Sequence, residues 1–149
     1  MRRLIYIATV IMATLAMSCN EQAHSVEMHD IKSDAWSTTE KFTYHNSDSL
    51  SKRDISIVVR YGNGYTADSV NLRILAISPD SLVAEERFTL RIPRIKEVRP
   101  EEQTFLYRKD VVLGRCGKYE LHITPDTLVE GISSVGIIVG EPEVKKIED

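Results

Sequence analysis

Two cysteines, four histidines and a spread of carboxylates are the groups of this chain able to do chemistry, and their spacing limits what that chemistry is. Cys116 precedes His122 by six positions, and alternating strand faces give no reason for thiol and imidazole to meet. No GxSxG elbow and no glycine-rich phosphate loop occurs. His24, His29, His45 and His122 fall at no recognised metal-ligand interval. Asp30, Asp34, Asp48 and Asp54 do not match an EF-hand loop and read as solvated turns. A carboxylate pair for glycoside hydrolysis is assembled across strands, and nothing here singles one out. The chain therefore reads as non-enzymatic, with no metal site and no cofactor, and Cys116 as a small buried hydrophobe.

Cys19 is different, because of what precedes it. Arg2 and Arg3 form a short positive start, Leu4 to Leu15 is nearly continuous apolar chain, and Ala16-Met17-Ser18 leads into the cysteine. This resembles a bacterial lipoprotein signal, in which the cysteine becomes the acylated first residue of the mature protein. The apolar stretch is short of the roughly 20 residues that span a bilayer. Cys19 is thus the expected lipid-attachment site, bearing acyl chains of the palmitate kind. Two or more such chains suffice for stable anchoring. The residue after Cys19 is Asn20, not Asp, which argues against inner-membrane retention and for an outer-membrane location, periplasmic or surface-facing.

Loss of residues 1–18 from the 149 leaves 131, enough for one domain. It also removes two of the 19 basic residues, leaving 17 against 22 acidic ones, a formal charge of −5. That balance gives no electrostatic case for nucleic acid. The expected division is a signal at 1–18, a lipidated cysteine and polar tether at 19–30, a folded domain at 31–142 and a charged tail at 143–149. Val26 and Met28 could begin a first edge strand.

The domain reads as strands. Ile55, Ile57, Val59 and Tyr61 alternate with polar or smaller residues until Gly62-Asn63-Gly64 breaks the run. VNLRILAI (70–77) ends at a Ser-Pro-Asp turn, and Phe88, Leu90 and Ile92 share one face of the next run before Pro93. The charged stretch RIKEVRPEEQ reads as a solvated loop. Thr104 to Tyr107 and Val111 to Leu113 are short candidate strands, and KYELHIT alternates cleanly. Leu128 to Ile132 suggests a turn or a single helical turn, and SVGIIVG a strand covered on both faces. Many short strands and no helical period predict an all-β chain: an antiparallel β-sandwich, with jelly-roll connection as one option and a small barrel as the alternative.

Several separated motifs resemble the gliding motility lipoprotein family GldH of the Bacteroidetes. They are Asp34-Ala35-Trp36 with Phe42 nearby, ISIVVRYGNGY with Arg60 and Tyr65, and Asn71-Leu72 at the next strand. The C-terminal half, GKYELHITPDTLVEGISSVGIIV, supplies Gly117, Tyr119, Leu128, Gly131, Ile132, Val135 and Gly136. The chain departs from that pattern at TADSV before Asn71, and it lacks a Trp-Gly-rich segment ahead of the last strands. The resemblance implies an envelope lipoprotein, without catalytic activity or cofactor, accessory to gliding or to the type IX secretion apparatus.

Trp36, Tyr61 and Tyr65 are large aromatics able either to fill a core or to form a recognition patch. Arg91 and Arg94 lead the densest basic region, but interspersed glutamates make it a protein-binding rim, not a polyanion groove. These five are the expected partner-binding residues. The expected partners are the membrane, through the N-terminal lipid, and other envelope proteins. A carbohydrate- or peptide-binding lipoprotein is the alternative, and aromatics exposed on a concave face would favour a sugar.

Overall fold

The computed structural model describes residues 24–142, and ten strands account for most of these. They are β1 (Ser25–Asp30), β2 (Ala35–Trp36), β3 (Glu40–Asn46), β4 (Lys52–Tyr61), β5 (Val70–Ile77), β6 (Val83–Leu90), β7 (Glu101–Val112), β8 (Gly117–Pro125), β9 (Val129–Glu130) and β10 (Ile132–Gly140). The signal segment, Cys19 and the tail at 143–149 lie outside the described residues.

The pairing is nested: β1 with β10, β2 with β9, β3 with β8, β4 with β7 and β5 with β6, all antiparallel. The chain is one long antiparallel ribbon folded back at the β5–β6 turn. Rolling the ribbon adds the β10–β4 and β5–β8 pairs. Two four-stranded sheets result, β1-β10-β4-β7 and β3-β8-β5-β6. This is an antiparallel β-sandwich of the jelly-roll kind, as the strand pattern predicts. Each sheet buries alternate residues against the other: Ile57, Val59 and Tyr61 of β4 face Leu72 and Ile74 of β5 and Ile123 of β8 in one core.

The element boundaries depart from the sequence reading in four places. Residues 25–30 are a strand, so the domain begins at Ser25 instead of residue 31 and the tether is shorter. β1 is the first edge strand that Val26 and Met28 suggested, but its inward positions hold Glu27 and His29, which bond across to β3, while Val26 is exposed. Inward charges of this sort also blunt a sheet edge. β3 was not anticipated, although Phe42, Tyr44 and Asn46 are its alternate buried positions. β7 runs from Glu101 because its exposed face carries the charges. Residues 128–132 hold the two-residue strand β9 and not a helical turn.

Candidate functional site

The two ends of the sandwich are built differently. At one end Trp36, Tyr61 and Tyr65 plug the space between the sheets, each 0–1% exposed. The Trp36 indole donates to the Thr38 carbonyl at 2.8 Å, and the two tyrosine rings meet edge-to-face at 5.7 Å. Burial raises both tyrosine pKa values, so their hydroxyls stay protonated. Neither hydroxyl has a protein partner. Gly131 closes this end with φ 81°, and a Cβ there would stand 2.1 Å from the Tyr65 nitrogen. Only glycine lets those backbones approach so closely.

Of the two uses open to these three aromatics, the structure shows the core and not the recognition patch. As interior residues they cannot touch a partner; they support the loops above them. Arg91 and Arg94 are exposed at this same end, in the charged arm that follows β6. Arg94 bonds Asp68 at 2.6 Å and reaches the Ala67 carbonyl at 3.5 Å, drawing the arm onto the loop after Tyr65. The structure therefore joins the arm and the loop as one charged surface and leaves the aromatics beneath it.

At the opposite end the sheets part around an apolar cleft of about 370 Å³. Ile55, Ile137 and Val139 line one wall, Phe42, Tyr44 and Leu121 the other, and Leu82 and Val83 stand at its rim. One flank is clasped where the edge strands β6 and β7 meet. There Glu86 accepts hydrogen bonds from the Tyr107 hydroxyl and from Arg108, the latter at 2.5 Å to Oε2. Arg108 also lies 4.9 Å from the Tyr107 ring centre, and Phe88 packs edge-on against that ring. Burial and the Glu86 carboxylate push the Tyr107 pKa upward, so it remains a donor. On the far flank β1 meets β3 through His29, whose Nδ1 lies 3.0 Å from Glu40 and whose ring stacks on Phe42.

The connections at the open end are rigidly held. The Ser51 hydroxyl, with the Leu50 and Ser51 amides, holds the Asp48 carboxyl at about 2. Asn46 donates to the Leu113 and Arg115 carbonyls, fixing the loop before β8. Gly117, at φ 126°, packs against the Pro79 ring. Cys116 is exposed in that loop, contrary to its expected burial, because the loop projects beyond the last inward-facing positions. His122 turns to Glu120 at 3.0 Å. Among the described residues, no group of three or more His, Cys, Asp or Glu is placed to hold a metal ion. No helix among them is long and apolar enough to cross a membrane.

The cleft was not foreseen from sequence. Its lining comes from seven strands, and its only local signal is apolar residues at strand ends (Ile77, Leu82, Val83, Val111 and Leu113), where turn chemistry would usually be polar.

No family model and no curated protein matches the chain. Solved structures that it resembles include the Yersinia pseudotuberculosis-derived mitogen, at 10% identity and a TM-score of 0.33, over 86% of this chain and 93% of that one. Tobacco streak virus coat protein is similar at 10% identity and a TM-score of 0.29, over 89% and 96%. A carbohydrate-binding module of the β-sandwich superfamily gives 11% and 0.31, over 81% and 56%. The likeness is one of fold alone.

Proposed function

We propose that the chain is a non-enzymatic cell-envelope lipoprotein, anchored through Cys19 and serving as an accessory or scaffold component of machinery related to gliding motility and type IX secretion. The resemblance of its motifs to the GldH family supports the setting. One structural observation supports the binding role: β1 begins at the open end, so an anchor at Cys19 would leave the charged surface of Arg91 and Arg94 at the opposite end. An outer-membrane anchor would then present that surface to other envelope proteins. Tethering raises their effective concentration, so a modest interface suffices.

Two measurements test this. Metabolic labelling with an alkyne fatty acid should mark the wild-type protein and not Cys19→Ala. Charge reversal at Arg91 and Arg94 should abolish recovery of a wild-type partner from crosslinked envelopes while leaving the label intact. Unlabelled wild type removes the lipoprotein reading, and unchanged recovery removes the partner surface.

The alternative, a carbohydrate- or peptide-binding surface lipoprotein, gains in its peptide form from the apolar cleft, which could take an apolar side chain. Its sugar form loses the aromatics on which it depended, since Trp36, Tyr61 and Tyr65 are interior.

A further inference from the structure

We infer that the open end of the sandwich is a membrane-docking surface, in which Leu50, Leu82, Val83 and Val112 enter the acyl boundary of the bilayer and the cleft admits a lipid acyl chain. The inference rests on the reading of Cys19 as acylated.

The first support is placement. Leu50, Leu82, Val83 and Val112 are 85, 69, 60 and 47% exposed. Leu50 lies in the β3–β4 connection and Leu82 in the β5–β6 connection, while Val83 begins β6 and Val112 ends β7, all at the cleft end. Leu82 and Val83 line the mouth, and Val112 sits between the lining residues Val111 and Leu113. Scattered exposed apolar residues need no explanation, but these four gather at one end of the sandwich, two of them on the rim of an apolar opening.

The second support is the length of the leash. Ser25 pairs with Val139, which lines the cleft, so the chain enters the domain at this end. Five steps separate Cys19 from His24. At most ~3.6 Å per residue, five steps let the Cα of Cys19 stand no farther than roughly 18 Å from that of His24. The nine-residue strand β10 is itself about 30 Å long. The leash is shorter than the sandwich, so an anchored domain keeps its open end near the bilayer. Interfacial elements bury their apolar faces about 5–10 Å deep, which suits side chains at loop tips.

The third support is chemical. The charged side chains and the serine on the cleft wall are already engaged: Glu86 with Tyr107 and Arg108, Glu120 with Lys118 and His122, Ser78 with Asp80. A peptide backbone entering the cleft would give up its hydrogen bonds to water and find these groups occupied. An acyl chain has none to lose. Acidic and basic residues pair around the tips, Arg53 with Asp48 and Arg115 with Asp80. Docking should therefore be apolar in origin and indifferent to salt or to anionic lipid.

The test uses the acylated full-length protein with Cys116→Ser, carrying an environment-sensitive fluorophore on Leu82→Cys or Val98→Cys. It is reconstituted on vesicles of phosphatidylethanolamine and phosphatidylglycerol that contain lipids spin-labelled in the acyl chain. Position 82 should be quenched severalfold more than position 98, which lies in the far arm, and added salt should not reverse this. A photoactivatable acyl chain should crosslink to peptides containing Tyr107 or Tyr119, and Ala84→Phe, which fills the cleft, should abolish the crosslink at unchanged melting temperature. Protein that fails to float with the vesicles lacks the anchor, and the inference falls with the lipoprotein reading. Protein that floats with position 82 unquenched overturns the docking alone. Crosslinking of the cleft to a peptide in place of lipid overturns it in favour of the peptide reading.

Discussion

His29 joins the two sheets at one edge, between Glu27 and Glu40. Burial of the ring lowers its pKa, but hydrogen bonds and charge from Glu40 and Glu27 outweigh this and raise it above 6.5. A raised folded-state pKa gives stabilisation that is complete below the unfolded value and is lost as pH climbs past the folded one. The gap in melting temperature between wild type and His29→Gln should therefore be wider at about pH 5.5 than at about pH 8.5. An equal gap would show that the seam is held by stacking on Phe42 alone. Gly131 gives a second prediction. Gly131→Ala forces a side chain into the Tyr65 backbone at positive φ and should cost about 3 kcal/mol or more in denaturant unfolding. Trp36→Ala should cost about 3–5 kcal/mol, since it empties a fully buried site. Single residues of this kind were only partly legible in sequence. Trp36 and the two tyrosines declare their size, but whether an aromatic plugs a core or faces a partner depends on which sheet end it meets. A histidine on β1 declares nothing until β3 is beside it.

At the level of strands, alternation was a reliable guide wherever one face is apolar. β4, β5, β6 and β8 are readable from it, and β10 from an apolar run covered on both faces. At β1 the alternate Val26 and Met28 pointed to an edge strand but not to its inward face, which carries Glu27 and His29. β7 was readable only in its middle, where Phe105 and Tyr107 turn inward. The clasp between β6 and β7 could not be seen, as Glu86 and Tyr107 are 21 positions apart. Removing the shared acceptor by Glu86→Ala leaves the buried Tyr107 hydroxyl unpaired and frees one sandwich edge. The expected loss is about 1–3 kcal/mol, with amide exchange accelerating first in β6 and β7 and little changed in β4 and β10. Uniform acceleration across both sheets would contradict a local clasp.

The whole molecule is a ribbon whose first and last strands pair across more than a hundred residues, as Ser25 with Val139. Closing such distant pairs is entropically slow, so refolding should take on the order of milliseconds to seconds. Microsecond refolding, followed by the fluorescence of Trp36, would contradict the nested order. The same architecture governs how the domain carries force. If lipid holds the N-terminus and a partner grips the opposite end, tension runs parallel to the strands. β1 must then slide along β10 with its hydrogen bonds sharing the load, the geometry of mechanical shear. Pulling on both termini at once would instead peel that pair apart one bond at a time. A single grip at the N-terminus would therefore load the sandwich in its tougher direction.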